Sequence, residues 1–313
     1  MAARAGHNVK LWSRNANVVT SIQRERTNPV YLPGIEVPEH VFVSADLSIV
    51  VPDAELVVMA APSHVVRSLL KITASEIGAN TVLVNSAKGI EVETGKRISE
   101  IASEILTSQP PFVCLSGPSF AKEVVLDHPT AIVAASLNTD AARLVQAALS
   151  YKNFRVYTNN DVVGTELGGS VKNTMAIGAG MVSGLGLGAN SLAALITRGL
   201  AEITRLAIAQ GARLETMMGL AGLGDLVLTC TGSLSRNRFV GEQLARGKTV
   251  AEITREMTEI AEGLNTTRAV KTLADLSGVE MPIVNEVHDV LYQGKSVQEA
   301  VNALMRRPLR DEV

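Results

Sequence analysis

Short apolar runs alternate with amphipathic segments through the first half of the chain. Segments with helical periodicity lie near residues 15–25, 62–72, 93–106 and 138–151. Between them stand apolar runs of strand length, namely Val9–Trp12, Val41–Val43, Leu56–Ala60, Val82–Asn85, Phe112–Leu115 and Ala131–Ala134. Repetition of strand and helix predicts an α/β domain with a mostly parallel sheet and crossover helices.

The pattern changes after a last strand-like run, Phe154–Tyr157. Residues 164–232 contain more than half of the 25 glycines, and helical periodicity replaces the alternation. We therefore predict a first domain over residues 1–160 and an all-helical second domain over residues 161–313. No Pro- or Ser-rich linker separates them, which favours two domains that pack tightly around a shared cleft.

Composition narrows the functional classes. The 313 residues are 46% hydrophobic and 19% charged, with a net charge of -2 and scattered basic residues, so a nucleic-acid surface is not expected. Two cysteines, Cys114 and Cys230, are too few for a disulfide framework, and no Cys/His cluster has metal-ligand spacing. Residues 1–14 lack the apolar core of a signal peptide. We expect a cytoplasmic protein without a structural metal.

Polar residues follow three of the predicted strands. They are Pro62–His64, Ser86–Gly89 and Ser116–Ala121. Ligands of parallel sheets bind beyond the carboxyl ends of the strands, and these segments would lie at that edge. Gly117 permits close backbone approach, and Pro118 and Ser119 suit the start of a helix that could receive an anion. Each segment alone is more often only a turn.

Lys172 is the only charged residue between Leu167 and Thr197. Burial in this small, apolar run would lower its pKa, which suits a proton-transfer lysine, whereas a lysine that reaches the surface from a core helix is equally compatible. A membrane span is set aside, because the glycines of 184–188 would interrupt the helix. Asp225 is a candidate partner for Lys172, although a helix-capping aspartate is as good an interpretation.

Ser235-Arg236-Asn237-Arg238 combines a guanidinium with hydroxyl and amide donors. This combination suits a phosphate group, although an arginine pair on a solvated helix face is the commoner explanation. Residues 242–310 have the pattern of amphipathic helices, in which Glu259–Gly263 has the composition of an ordinary helix end.

Several of these segments together resemble one family. They are Gly6–Arg14, Ser86–Gly89, Ser116–Glu123, Gly168–Asn173, Ala221–Leu226 and Ser235–Asn237. In this order they resemble the bacterial NAD(P)-dependent glycerol-3-phosphate dehydrogenases. The resemblance implies an N-terminal Rossmann-type domain for the nicotinamide cofactor and a helical C-terminal domain for most of the substrate site. It also implies interconversion of dihydroxyacetone phosphate and sn-glycerol 3-phosphate for glycerophospholipid synthesis.

The resemblance assigns residue roles by position. Lys172 would be the proton acceptor for the C2 hydroxyl, Lys88 would polarise the same oxygen and lower the pKa of Lys172, and Asp225 would hold Lys172. The implied substrate contacts are Lys88, Gly117, Ser119, Lys172, Asp225, Ser235, Arg236 and Asn237. The implied cofactor contacts are Arg14, Lys88, Ala121, Arg236, Ile260 and Glu262.

Arg14 bears on the choice of cofactor. In Rossmann domains an acid near this strand end binds the ribose 2′-hydroxyl of NAD, whereas an arginine accommodates the 2′-phosphate of NADP. Arg14 without a neighbouring acid therefore favours NADPH over NADH. The expected partner is a small phosphorylated substrate, with neither nucleic acid nor membrane insertion, and a homodimer stays open.

One expected feature is missing from residues 1–313. The family begins with a strand and a G-x-G-x-x-G loop about 20 residues before the Val9–Trp12 run, and the loop normally cradles the pyrophosphate. Without that central strand, two neighbouring strands would have unpaired edges. We favour a start upstream of Met1 over a natively shortened chain, and intact-mass measurement would decide. A non-catalytic phosphometabolite-binding remnant and a beta-hydroxyacid dehydrogenase or ketopantoate-type reductase are the alternatives.

Overall fold

The structure, a computed structural model, describes residues 1–257, 261–309 and 311–312. It divides into two compact units. The first comprises Met1–Ala61, Val65–Ala87 and Ser99–Val162, and the second comprises Pro62–His64, Lys88–Ile98 and Val163–Val313. The second unit thus includes two short segments that lie within the predicted first domain. Ile260, one of the predicted cofactor contacts, lies outside the described residues.

The first unit is built on parallel strands, as the apolar runs predict. Its strands are β1 (Val9–Trp12), β2 (Thr27–Asn28), β3 (Leu32–Glu36), β4 (Val41–Ser44), β5 (Leu56–Met59), β6 (Val82–Asn85), β7 (Phe112–Ser116), β8 (Thr130–Ala135) and β9 (Phe154–Asn159). β1 and β4 form a parallel pair, and β5-β6-β7-β8-β9 form a five-stranded sheet. β7 and β8 pair antiparallel, whereas the other neighbours in that sheet are parallel. The Rossmann-type fold class is confirmed, and β1 and β5 each stand at an end of their sheet.

Six helices lie between these strands, and the four longest bury one face. They are α1 (Ala16–Glu25), α2 (Leu47–Val50), α3 (Ser63–Thr73), α4 (Ile98–Ile105), α5 (Ala121–Val125) and α6 (Thr139–Leu149). In α6 the buried positions, among them Val145 and Leu149, pack with sheet residues such as Val113 and Val156 into one core. Asn15 and Asn138 cap α1 and α6 by accepting backbone N–H groups.

One predicted helix begins later than expected. The pattern suggested a helix from about residue 93, but α4 starts at Ile98. The preceding residues form a closed turn in which Glu91 N–H donates to the Lys96 carbonyl and Gly95 N–H donates to the Glu91 carbonyl. Gly95 has a φ of +69°, which a helix interior excludes. The antiparallel β2–β3 pair was also not predicted, because these segments are short and interrupted by proline and glycine.

The second unit is all-helical over residues 163–257 and 261–309, which confirms the predicted fold class. Its helices are α7 (Val162–Gly184), α8 (Gly188–Ala209), α9 (Leu214–Met217), α10 (Asp225–Thr231), α11 (Arg236–Ala245), α12 (Val250–Glu256), α13 (Gly263–Leu276), α14 (Pro282–Tyr292) and α15 (Val297–Met305), with a π-helical turn at Leu220–Gly224. A single apolar core, which includes Val171 and Met175 of α7, joins them. Within the described residues no single helix has the length and hydropathy of a membrane span, and one bent pair, Leu214–Thr231 with Arg236–Ala245, passes that test.

α7 is the central helix of this unit, and its glycines admit neighbouring backbone. A Cβ at Gly168 would lie 2.6 Å from the Ala221 carbonyl oxygen. Further along, Gly180 faces the backbone of Arg238 on α11, and a Cβ on Gly241 of α11 would lie 1.9 Å from the carbonyl oxygen of Ile177. Gly168 and Gly180 of α7 therefore allow close backbone packing against the π-helical turn and α11.

Replacing Gly241 by alanine tests this packing. The added methyl group would overlap the α7 backbone, so we expect the free energy of unfolding to fall by about 2–3 kcal/mol. Gly78→Ala is the matched control, because Gly78 has a negative φ and no atom within 4 Å of an added Cβ. It should change stability by less than about 0.5 kcal/mol. Urea unfolding of both variants measures the difference, and equal stabilities would contradict close packing at Gly241.

The N-terminus of α14 is held by a carboxylate from α8. Glu202 is 3% exposed, and its Oε1 accepts the Ile283 N–H at 2.9 Å, just after Pro282 at the start of the helix. Burial raises the pKa of Glu202 to about 7, against the lowering effect of these N–H donors and of Arg205 and Arg307. This interaction joins α8 to α14 within the second unit.

Candidate active site

Lys172, Lys88 and Asp225 meet in the second unit. The Lys172 Nζ donates to Asp225 Oδ1 at 2.5 Å, and the Lys88 Nζ donates to Asp225 Oδ2 at 2.7 Å. One carboxylate therefore binds two ammonium groups, one on each oxygen. The side chains of Lys172 and Asp225 are 6% and 1% exposed, whereas that of Lys88 is 22% exposed. With all three groups ionised, the cluster carries one net positive charge.

Helix geometry explains why Asp225 is in place. Asp225 opens α10 directly after the π-helical turn, and its side chain is directed to two lysines rather than used as a side-chain cap of that helix. Of the two alternatives that the local sequence left open, the structure supports the lysine partner. Lys172 is buried in the middle of α7, which excludes the alternative of a lysine that extends from a helix end to the surface.

Thr229 also contacts Lys172, and no sequence pattern predicted this contact. Its hydroxyl donates to the Asp225 carbonyl at 2.6 Å, one helical turn earlier, and accepts from the Lys172 Nζ at 2.6 Å. The first bond orients the hydroxyl so that a lone pair faces the ammonium group. An ammonium group has three donors, and Asp225 and Thr229 account for two of them among the described residues. The third has no hydrogen-bond partner among the described residues, although Cys230 also interacts electrostatically with Lys172.

The pKa of Lys172 is lowered from 10.5 to about 8. Burial is the largest cause, because it disfavours the charged form, and the Lys88 ammonium lowers the pKa further. The negative charge and hydrogen bond of Asp225 oppose both effects. Lys172 can therefore exist in either protonation state near neutral pH, as a group that both accepts and donates protons requires.

A chain of amide groups runs from α13 to the backbone of Lys88. Gly263 N–H donates to Asn237 Oδ1 at 2.9 Å, Asn237 Nδ2 donates to Asn173 Oδ1 at 2.9 Å, and Asn173 Nδ2 donates to the Lys88 carbonyl at 3.0 Å. Asn173 directly follows Lys172. The predicted site residue Asn237 is thus close to the lysines through Asn173, and much of its hydrogen-bonding capacity is used inside the protein.

Ser235, Arg236 and Glu262 lie on the neighbouring helix ends. The Ser235 hydroxyl accepts the Arg238 N–H at 3.2 Å and caps α11. Arg236 is the first residue of α11, and its side chain is exposed. Glu262 Oε1 accepts the Ser63 N–H at 2.8 Å. Burial raises the pKa of Glu262, and the nearby charge of Arg236 opposes this. The charge of Arg236 is therefore near enough to favour the ionised form of Glu262.

The remaining predicted residues belong to the first unit. Gly117 follows β7 with a φ of +131°, and a Cβ there would lie 3.0 Å from the Ile132 backbone. Ser119 donates to the Gly117 carbonyl at 3.0 Å, and Ala121 is the first residue of α5. Arg14 is exposed at the carboxyl end of β1, just before the N-cap of α1. These positions agree with the strand-end placement that the sequence suggests.

Replacing Thr229 by valine tests its contact with Lys172. Valine keeps the shape of threonine but cannot accept a hydrogen bond, so the ammonium form of Lys172 loses stabilisation. Because a hydrogen bond to a charged group is worth about 1.5–3 kcal/mol, we expect turnover that requires this form to fall about 10- to 100-fold when it is measured well above pH 8, where most of Lys172 is neutral. Thr229→Ser should retain most of it. Steady-state kinetics of both variants measure the effect, and an equal loss in both would contradict the hydroxyl contact.

The chain thus combines a Rossmann-type sheet with an all-helical unit that contains a buried lysine–aspartate pair. These two features define its structural class. Comparison with known proteins identifies the family within it. Residues 1–142 match the model of the NAD-dependent glycerol-3-phosphate dehydrogenase N-terminus, and residues 161–302 match that of its C-terminus. The chain belongs to this family.

Individual relatives agree over the whole length. A glycerol-3-phosphate dehydrogenase [NAD(P)+] from Koribacter versatilis is 50% identical, with 100% of this chain and 94% of that protein aligned. The crystal structure of glycerol-3-phosphate dehydrogenase from Coxiella burnetii superposes with a TM-score of 0.94 at 38% identity, over 98% of this chain and 94% of that one.

The alternative of a ketopantoate-type reductase has much weaker support. A ketopantoate reductase from Ralstonia eutropha superposes with a TM-score of 0.60 at 15% identity, over 96% of this chain and 94% of that one. At that identity the likeness extends to the fold alone. The family assignment rests on the far higher similarity to the glycerol-3-phosphate dehydrogenases.

Proposed function

We propose that this protein is an NAD(P)-dependent sn-glycerol-3-phosphate dehydrogenase, which interconverts dihydroxyacetone phosphate and sn-glycerol 3-phosphate for glycerophospholipid synthesis. The observation that carries the proposal is the buried Lys172, with its lowered pKa, paired with an Asp225 carboxylate that also binds Lys88. A buried group that gains and loses a proton near neutral pH serves a reversible reaction at an alcohol carbon.

This geometry gives the direction of proton transfer between Lys172 and the substrate. In the oxidation direction neutral Lys172 accepts the proton of the C2 hydroxyl as that carbon becomes a carbonyl. In the reduction direction the Lys172 ammonium donates its proton to the C2 oxygen. When bound, the nicotinamide cofactor accepts or supplies the hydride at C2. The Lys88 ammonium stabilises negative charge that develops on the C2 oxygen, and Asp225 holds both lysines in place.

Binding of the substrate phosphate is proposed at the N-terminus of α11. This helix has 10 residues and begins with Arg236, whose side chain is exposed, and the free N–H groups and dipole of a helix N-terminus favour an anion. Ser235 and Asn237 flank it and shape the site. Gly117 and Ser119 are proposed as further substrate contacts.

The described residues fit a nicotinamide dinucleotide at two places. Arg14 follows β1 with no acid beside it, which suits the 2′-phosphate of NADP. The hydroxyl of Ser116, at the end of β7, is buried and has no hydrogen-bond partner among the described residues, so this strand end keeps a polar group for a ligand. Lys88, Ala121, Arg236, Ile260 and Glu262 are the further residues proposed for the cofactor, with NADPH favoured over NADH.

The pKa of Lys172 gives the two directions opposite pH dependences. Reduction of dihydroxyacetone phosphate needs the ammonium form, so its kcat/KM should be constant below pH 8 and fall tenfold per pH unit well above it. Oxidation of glycerol 3-phosphate needs the neutral form and should rise up to about pH 8 and then level off. Initial rates between pH 6.5 and 10 measure both profiles, and parallel profiles in the two directions would contradict this role.

A direct assay of NADPH oxidation tests the proposed function. Purified protein with NADPH and dihydroxyacetone phosphate should oxidise NADPH and form sn-glycerol 3-phosphate in equal amounts. Absence of turnover in the natively expressed protein would refute the enzymatic function. If dihydroxyacetone phosphate is bound without turnover and NADPH is not bound, the protein is a non-catalytic phosphometabolite-binding member of the family. Tight NADPH binding by the 313-residue chain would exclude that alternative.

A further inference from the structure

The segment that carries Lys88 is fastened to α7 on both sides of Lys172. Near its start, Asn173 Nδ2 donates to the Lys88 carbonyl at 3.0 Å. At its other end, Arg97 Nη1 donates to Glu166 Oε2 at 2.9 Å. Asn173 directly follows Lys172, and Glu166 precedes it by about two helical turns. The helix that carries Lys172 therefore also holds the segment that carries Lys88.

The Arg97–Glu166 pair is nearly buried, which distinguishes it from ordinary surface ion pairs. The side chains of Arg97 and Glu166 are 15% and 4% exposed. Exposed ion pairs contribute little to stability, whereas breaking a buried ion pair by removing one partner is strongly destabilising. The position of this pair in the fold points to a role other than stability.

The segment between the two attachments is short and closed. Ile90 packs into the apolar core of the second unit with 3% exposure. Residues 91–96 close on themselves, because Glu91 N–H donates to the Lys96 carbonyl and the Thr94 hydroxyl donates to Glu91 Oε2. Arg97 and Lys88 are therefore joined by a short segment that is closed by hydrogen bonds, and not by a long loop.

We propose that Arg97 and Glu166 are positioning residues for Lys88. The pair sets where the Lys88 segment lies along α7, and so it sets the placement of the Lys88 ammonium against Asp225 and the C2 oxygen of the substrate. This inference rests on the proposed function for the role of Lys88 in turnover. It goes beyond that function, since it assigns a role to two residues that are not among the proposed substrate and cofactor contacts.

Arg97→Met combined with Glu166→Gln tests the proposal, because the double variant removes both charges of the ion pair together. We expect kcat for dihydroxyacetone phosphate reduction to fall 10- to 100-fold with KM changed less than threefold. The matched control is Arg67→Met with Glu104→Gln, a pair of the same residue types at the same 2.9 Å distance in the first unit, with Glu104 43% exposed. It should leave kcat within twofold of wild type.

A Lys88→Met background separates positioning from general damage. If Arg97 and Glu166 act through Lys88, the double variant should lower kcat by less than twofold further in that background. An additional loss as large as in wild type would overturn the proposal, as would wild-type kcat in the folded double variant. If the double variant does not fold, Arg97→Lys replaces it, with an expected three- to tenfold loss of kcat that again disappears in the Lys88→Met background.

Chemical labelling of Lys88 does not depend on enzymatic activity. It therefore tests the positioning role separately from the proposed function. Lys88 is protected by its ion pair, so acetic anhydride labelling, followed by mass spectrometry, should modify it at least threefold faster in Arg97→Met with Glu166→Gln. Lys271, which forms an ion pair with Asp275 on α13, should react at an unchanged rate. Unchanged labelling of Lys88 would overturn the positioning role, whereas an inactive wild type with faster Lys88 labelling in the variant would refute only the enzymatic function.

Discussion

Replacing Lys172 by methionine should lower kcat/KM for dihydroxyacetone phosphate reduction by about 10²–10⁴-fold, the range that a positioned acid–base group contributes. Methionine fills a similar volume in the interior of α7 but carries no proton. Asp225 keeps Lys88 as its partner, 2.7 Å away, so the carboxylate is not left unpaired. The loss should therefore be chemical, with thermal stability close to that of wild type.

Lys271→Met is the matched control for this variant. Lys271 also pairs with an aspartate, Asp275 at 2.6 Å, but it lies on the surface of α13 with a side chain 28% exposed. Its replacement should change kcat/KM by less than twofold. Steady-state kinetics in both directions provide the comparison. A Lys172→Met enzyme with more than a tenth of wild-type activity would contradict proton transfer by Lys172.

Replacing Asp225 by asparagine should have the second largest effect. Without the carboxylate, two ammonium groups face each other in a buried site, and the pKa of Lys172 falls below 8 because the charge of Asp225 no longer raises it. The reduction direction, which needs the protonated lysine, should lose about 10²-fold in kcat/KM at pH 7. The pH midpoint of the oxidation direction should move to lower pH.

The lower pKa of Lys172 should also limit the loss of stability in the Asp225→Asn variant. Removing one partner of a buried ion pair commonly costs about 3–5 kcal/mol. Here Lys172 can lose its proton at little expense near pH 7, so we expect a loss of about 1–3 kcal/mol instead. Urea unfolding at pH 7 and pH profiles in both directions measure the two effects. An unchanged midpoint of the pH profile would show that Asp225 does not control the proton on Lys172.

Much of the fold follows from local patterns, and what was missed depends on contacts distant in sequence. Every apolar run of the first half became a strand, because a buried strand needs only a short apolar stretch. The antiparallel direction of β8 has no local signature. The pattern around residues 93–106 predicted a helix that starts too early, because the turn before Ile98 depends on Gly95 and its positive φ.

The candidate site divides in the same way. Lys172 stands out in the sequence as one charge in a long apolar run, and Asp225 as an isolated acid beside glycines. Thr229 and Asn173 carry no such signal, because threonine and asparagine occur in many helices and their partners are 57 and 85 residues away. Only the packing of α7 against α10 and the Lys88 segment reveals their hydrogen bonds with the lysines.

Rescue of Lys172→Ala by added primary amines tests proton transfer at this position most directly. Alanine leaves space where the lysine stood, and a small amine can act there as the missing base. In glycerol 3-phosphate oxidation, at equal concentrations of free amine, the rescued rate should rise with the pKa of the amine, as general base catalysis requires. Absence of rescue by any amine of suitable size, or a rescued rate that does not depend on amine pKa, would contradict Lys172 as the proton acceptor.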